Sequence, residues 1–116
     1  MIDNVDYYSG KTSINRVAHG LKVLANLSCF DRNLDYGGGK YDAGTEFLSQ
    51  CHITNYVYDP NNRTPEHNAE VLAKAPYPTV TMLNVLNVIH GRANRVAAIK
   101  HAHSLMYHHD PDGMLL

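Results

Sequence analysis

The chain has 116 residues and a mass of 13.0 kDa, which is enough for one small domain with a hydrophobic core but not for two. Its formal net charge of −1 gives no general attraction to nucleic acid or to acidic partners. The sequence has no apolar run near the roughly 18 residues of a membrane span, and residues 1–11 do not have the basic and apolar regions of a secretory signal. Cys29 and Cys51 have no metal-binding spacing, so we expect a reduced, cytoplasmic setting.

Helices and strands are predicted to alternate along the chain. In chain order, the predicted elements are an irregular arm over 1–12, a helix from 13, a strand over 33–36, a helix over 43–51, a strand over 53–58, a helix from 64 to about 74, a strand from 79 that changes to helix or loop after 84, a helix over 92–106, a turn over 110–113 and a strand from 114. Ser13, Asp42 and Thr64 are the predicted N-caps, and Pro65 suits the first helical position. This order is typical of an α/β fold with an open, mostly parallel sheet, helices on both faces and one domain over 1–116.

Helical spacing also predicts which side chains are buried. The predicted core positions are Ile14, Val17, Leu21 and Leu24 of the first helix, Phe47, Leu48 and Cys51 of the second, and Ala98, Ile99, Ala102, Leu105 and Met106 of the last.

Three consecutive glycines, Gly37–Gly39, follow the first predicted strand and precede a helix. In an open parallel sheet this position, beyond the carboxyl end of a strand, is where ligands bind. A phosphate-binding P-loop is excluded because Tyr41 follows Gly39-Lys40 where a Ser or Thr is required, and Leu34 replaces the first glycine. A dinucleotide fingerprint is disfavoured because Asp42 would bring a negative charge to the pyrophosphate site. A simple strand-to-helix turn remains an alternative.

The stretch from Leu34 to Gly39, LDYGGG, resembles motif I of the class I S-adenosylmethionine-dependent methyltransferases. Asp59, before Pro60 at the end of the second strand, resembles that family's ribose-binding acidic residue. The segment VTMLNVLNVI resembles its fourth strand, and HSLMYHHDPDGMLL resembles the helix and turn that lead into strand five. The resemblance covers residues 13–116 and implies a Rossmann-like fold.

The resemblance also implies roles for individual residues. The cofactor-binding residues would be Asp35, Tyr36, Gly37, Gly38, Gly39, Asp59, Pro60, Asn84 and Val85, and the candidates on the substrate side are Tyr8 and Asn87. S-adenosylmethionine would be the cofactor and the acceptor is not specified, as in small phage or bacterial accessory methyltransferases. Asp35 would order the glycine loop, and Asp59 would bind the ribose hydroxyls.

The chain departs from the family pattern in three respects. Tyr41 replaces the third glycine of the motif, the family's third strand has no counterpart, and the sequence stops where strand five begins. We therefore expect an open sheet edge that a second copy or a partner protein would cover. The alternative function is a non-catalytic, shortened methyltransferase-like module for cofactor binding or oligomerisation.

The remaining polar residues carry weaker signals. His101 and His103 are two residues apart and cannot chelate one metal from a helix, so we expect no metal site and solvent-facing histidines. Residues 92–109 contain no carboxylate, but no aromatic stacking platform for nucleic acid is interleaved with the basic residues, which favours a solvated helix face.

Overall fold

The computed structural model describes residues 16–27, 30–83, 89–107 and 114–115. The elements are α1 (His19–Leu27), β1 (Arg32–Tyr36), α2 (Ala43–Gln50), β2 (Thr54–Tyr58), α3 (Pro65–Ala73), β3 (Thr79–Thr81), α4 (Arg92–Ser104) and β4 (Met114–Leu115). All strand pairings are parallel, and the strand order is β2-β1-β3-β4. The fold is therefore α/β with a small open parallel sheet, as the alternation of elements predicts.

β2 lies on one side of β1 in the sheet, and β3 lies on the other side. β1 pairs with β2 from Arg32↔Thr54 to Tyr36↔Tyr58, and with β3 at Leu34↔Val80 and Asp35↔Thr81. The carboxyl ends of β1 and β3 thus flank the point at which the strand order reverses. In open parallel sheets this reversal creates the crevice where ligands bind.

The two faces of the sheet have different chemistry because successive side chains of a strand point to opposite sides. One face packs against α3 and α4 in an apolar core of buried residues: Leu34, Tyr36, Val71, Tyr77, Val80, Ile89, Ala98, Ala102, Leu105 and Met106. A smaller cluster joins Leu21, Leu24, Leu48 and Ile53 between α1, α2 and the start of β2. The sheet residues on that second face are largely polar, and they form the floor of the candidate site.

Most predicted boundaries agree with the structure to within one or two residues. Thr64 caps α3 by accepting a hydrogen bond from the His67 backbone N–H at 3.1 Å, and Pro65 occupies the first turn. α1 and β3 are the exceptions: α1 begins at His19 and residues 16–18 are not helical, and β3 ends at Thr81 rather than at residue 84. The predicted cap Ser13 lies outside the described residues, as do residues 108–113.

Two predicted core residues are exposed. Ile99 is 39% exposed because α4 buries Ala98 and Ala102, which are four positions apart on the adjacent face of the helix. Cys51 is also exposed, because α2 ends at Gln50 and the chain turns outward through His52, which has a φ of 62°. Within the described ranges, no helix combines the length and apolar character needed to cross a membrane.

Candidate functional site

The glycine loop lies at the carboxyl end of β1, in a conformation that requires glycine at two positions. Gly37 and Gly39 have φ values of 77° and 87°, in the left-handed region that side chains with a Cβ rarely adopt. The Gly37 N–H donates to the carbonyl of Tyr58 at 2.7 Å and so continues the β1–β2 ladder by one bond. The loop is therefore an ordered extension of the sheet rather than a linker.

Gly38 is required for a different reason, which is space. A Cβ built on Gly38 would lie 2.6 Å from Oδ2 of Asp35 and 3.1 Å from Cγ1 of Val57. The backbone of the loop thus passes directly over the carboxyl group at the end of β1. Any side chain at this position would displace either the loop or the carboxylate.

Asp35 is a buried carboxyl group with few compensating partners. Its side chain is 7% exposed, and the Thr81 hydroxyl donates to Oδ1 at 3.2 Å. Burial, with a smaller contribution from the nearby Asp59 carboxylate, raises the pKa of Asp35 from 3.8 to about 6, against the lowering effects of the side-chain hydrogen bonds from Thr81 and Asn55 and of the Arg63 charge. A buried carboxyl with a raised pKa at the mouth of a sheet is a common feature of functional sites.

A network of buried amides and hydroxyls supports Asp35 from below. The Asn33 side-chain amide donates to Oδ1 of Asn55 at 2.8 Å and to Oγ1 of Thr81 at 3.1 Å, and the Thr79 hydroxyl donates to Oδ1 of Asn33 at 2.8 Å. The Asn55 amide in turn donates to Oγ1 of Thr45 on α2 at 3.1 Å. Because these groups satisfy one another, this polar face is a fixed base for the Asp35 carboxyl.

Asp59 connects the ends of the first two strands. Its Oδ2 accepts from the Gly39 N–H at 2.9 Å and from the Asn62 side-chain amide at 3.1 Å. Its Oδ1 accepts from the backbone N–H groups of Asn61 at 2.9 Å and Asn62 at 3.1 Å. The side chain is 2% exposed, and these bonds fill about the four acceptor positions that a carboxylate offers. A ribose hydroxyl could bind here only by displacing one of these donors.

A narrow recess opens beside the loop, between α1, α2 and the strand ends. It has a volume of about 40 Å³ and is lined by Arg16, Ala18, Leu21, Asp35, Gly38, Tyr41, Gly44, Thr45 and Val57. The predicted residues Asp35 and Gly38 thus share this recess. A volume of this order holds a few water molecules.

Tyr36 points to the opposite face, away from the recess. Its hydroxyl lies 2.6 Å from Nδ1 of His101, and the Tyr36 and Tyr58 ring centroids are 5.0 Å apart. Burial lowers the pKa of His101, so this histidine is not the solvent-facing residue predicted for the last helix. Tyr36 therefore joins the loop to the α4 core and does not line the recess.

The structure brings together five of the predicted cofactor residues, Asp35, Gly37, Gly38, Gly39 and Asp59, at the carboxyl ends of β1 and β2, whereas the Tyr36 side chain lies on the opposite face of the sheet. Pro60 follows Asp59 in an exposed turn. The others, Asn84, Val85, Asn87 and Tyr8, lie outside the described residues. Within the described part of the chain, no three His, Cys, Asp or Glu residues are grouped closely enough to hold a metal ion.

Sequence reasoning missed Arg63, which contacts the glycine loop directly. Its Nε donates to the carbonyl of Gly39 at 2.7 Å, and its Nη2 lies 3.1 Å from the carbonyl of Tyr41 and 2.9 Å from Oδ1 of Asp42. Asp42 consequently pairs with Arg63 and makes no capping bond to α2, contrary to the prediction. The only signal in the sequence was a single arginine four residues after Asp59.

Comparisons with protein-family models, with curated proteins and with solved structures gave no match for this chain. Arguments about function therefore rest on its own residues.

The described residues fit S-adenosylmethionine in one respect and do not fit it in another. The acidic surroundings of Asp35 would fit a ligand that carries a sulfonium cation, whereas the space beside Gly38 is filled by the Asp35 carboxyl itself. The filled oxygens of Asp59 do not fit a ribose unless the Asn62 amide moves away.

Proposed function

We propose that this chain binds S-adenosylmethionine at the Gly37–Gly39 loop and acts as a methyltransferase-type domain. The observation that carries the proposal is the passage of the glycine backbone over the Asp35 carboxyl at the strand-order reversal, where a Cβ on Gly38 would come within 2.6 Å of Oδ2. The motif-I resemblance of LDYGGG supports the same cofactor.

The charge around the loop favours a cationic ligand over a phosphate. Asp35 and Asp59 are both buried at the strand ends, whereas Asp42, which begins the following helix, is paired with Arg63. A pyrophosphate at this position would meet carboxylates where phosphate sites present backbone N–H groups and cations. A sulfonium has the opposite charge, so these carboxylates attract it.

Methyl transfer asks little covalent chemistry of the protein. The bound cofactor supplies an electrophilic methyl group, and the protein contributes by aligning an acceptor with it. In this proposal the glycine loop allows close approach of the ligand, Asp35 provides the negative charge, and Asp59 fixes the loop rather than binding ribose in the free protein. The roles that the resemblance implies for Asn84, Val85, Tyr8 and Asn87 concern residues outside the described part of the chain.

The alternative, a module that assembles through an open sheet edge, is not favoured on the β2 side. Some of the outward-facing backbone groups there are occupied by the chain's own groups: the Ile53 N–H donates to the Leu48 carbonyl, His67 Nε2 lies 2.7 Å from the Val57 carbonyl oxygen, and the Asn68 side chain bonds both the N–H and the carbonyl of Asp59. Capping at these positions hinders the pairing of a partner strand.

The proposal is tested by calorimetric titration of S-adenosylmethionine into the full chain, with NAD as the matched ligand that carries a pyrophosphate. We expect saturable one-to-one binding of S-adenosylmethionine and no binding of NAD. Gly38→Ala should weaken binding by at least about tenfold while circular dichroism shows retained structure. A folded wild-type protein that gives no heat with S-adenosylmethionine, or that prefers NAD, would contradict the proposal.

A further inference from the structure

Both backbone polar groups of Gly39 are hydrogen-bonded to one short turn. Its N–H donates to Oδ2 of Asp59 at 2.9 Å, and its carbonyl accepts from Nε of Arg63 at 2.7 Å. Asp59 and Arg63 are four residues apart, in the turn between β2 and α3. The conformation of the glycine loop, which follows β1, is thus fixed by the turn that follows β2.

Arg63 extends this contact along the loop. Its Nη2 donates to the carbonyl of Tyr41 at 3.1 Å and to Oδ1 of Asp42 at 2.9 Å. The Asp42 side chain is 62% exposed, so the ion pair itself contributes little to stability. The two bonds to backbone carbonyls are the specific part of the interaction, since they fix the path of residues 39–41.

The turn that carries Arg63 is itself fixed by α3. Asn68 is 7% exposed, and its Oδ1 and Nδ2 bond the backbone N–H and carbonyl of Asp59, each at 3.0 Å. The Arg63 N–H donates to the Asp59 carbonyl at 2.9 Å, which closes the turn. Because these bonds fix the turn, the Arg63 side chain can hold the Gly37–Gly39 loop in place.

We propose that Arg63 is a positioning residue that holds the Gly37–Gly39 loop in its cofactor-binding conformation. This inference rests on the proposed function, and it assigns a role to a residue outside the motif-I resemblance. Three glycines have large conformational freedom, which a ligand would otherwise have to remove on binding. Arginine suits the task because its planar fork reaches several acceptors at once, whereas the ammonium group of lysine is a single point charge.

The experiment compares Arg63→Met and Arg63→Lys with a matched control, Arg32→Met. Arg32 also donates to two backbone carbonyls, those of Lys74 at 3.2 Å and Pro76 at 2.8 Å, but it does so at the amino end of β1. Methionine keeps the aliphatic stem at both positions and removes the donors. The control therefore reports the general effect of losing such an arginine.

Two readouts separate a positioning role from a merely structural one. In the free protein, hydrogen exchange of the Gly39 amide should accelerate at least about tenfold in Arg63→Met and stay unchanged in Arg32→Met. Calorimetry should show S-adenosylmethionine bound at least about tenfold more weakly by Arg63→Met, with partial recovery in Arg63→Lys and wild-type affinity in Arg32→Met.

Equal affinity in Arg63→Met and wild type, or equal losses in Arg63→Met and Arg32→Met, would overturn the positioning role. Wild-type protein that binds no cofactor would instead overturn the proposed function. Faster Gly39 exchange in Arg63→Met would then assign Arg63 to loop structure alone, so the two failures are distinguishable.

Discussion

Asp35 and Asp59 are two buried aspartates at adjacent strand ends, and their substitution by asparagine should have opposite effects on stability. Asp35 accepts side-chain hydrogen bonds from Thr81 and Asn55, but burial outweighs them and raises its pKa from 3.8 to about 6. Asp59 accepts from three backbone N–H groups and one side-chain amide. The first carboxylate is poorly compensated, whereas the second is well compensated.

The magnitude for Asp35 follows from the pKa difference between the folded and unfolded chains. The shift from 3.8 to about 6 is roughly two pKa units, and at about 1.36 kcal/mol per unit it corresponds to about 3 kcal/mol. Because the folded pKa is the higher one, the favourable contribution is complete below pH 3.8 and is lost as the pH rises through 6. At pH 7 the buried charge therefore destabilises the wild-type protein, and Asp35→Asn should stabilise it by up to about 3 kcal/mol.

Asp59→Asn should destabilise the protein at both pH 4 and pH 7. The NH₂ group of the asparagine would face N–H groups that now donate to the Asp59 carboxylate. At least one of these buried N–H groups would lose its acceptor, which costs roughly 1–3 kcal/mol of folding free energy per group. Urea unfolding of the two variants and wild type at pH 4 and pH 7 gives the free energies of unfolding. An Asp35→Asn variant that is less stable than wild type at pH 7, or whose gain is the same at both pH values, would refute the reasoning.

The same site and its surroundings give three further predictions. Gly39 and Gly91 have similar φ values of 87° and 82°, so Gly39→Ala and Gly91→Ala should each cost about 1–2 kcal/mol of folding free energy, measured by thermal unfolding. Only Gly39→Ala should abolish cofactor binding, and equal losses of binding in the two variants would count against the loop as the binding site. His101, whose pKa is lowered by burial, should make stability fall as the pH drops below 6.5, and His101→Phe should remove that dependence in acid titrations, while an unchanged profile would show that another group is responsible. Thr64→Ala should cost about 1 kcal/mol in urea unfolding by removing the α3 cap, with no effect on binding; a change below a few tenths would deny the cap its role.

The parts of the fold that sequence could predict are those specified by neighbouring residues. Thr64 and Pro65 predict the start of α3, and the β-branched and aromatic residues of 53–58 predict β2. Gly37–Gly39 marked the strand end because a glycine run after a strand is typical of a loop with positive φ values, which other residues rarely adopt. These signals needed no tertiary contact to be readable.

The parts that sequence could not predict depend on contacts between distant segments. Arg63 reaches a loop 24 residues earlier, and His101 bonds Tyr36 across 65 residues. Nothing in their immediate neighbours distinguishes them from solvated side chains. Asp59 was selected correctly as a strand-end residue, but its partner, the Gly39 N–H, is visible only once β1 and β2 are paired.

The central claim is that the glycine loop at the carboxyl end of β1 is the binding site for S-adenosylmethionine. Titration of the cofactor into ¹⁵N-labelled protein tests it most directly, because the amide signals of Gly37, Gly38 and Gly39 report the loop residue by residue. We predict saturable shifts that are largest at these three amides and small at the amino end of the sheet, around Arg32. A titration that leaves the three glycine amides unmoved, in a protein whose other signals show it to be folded, would contradict the account.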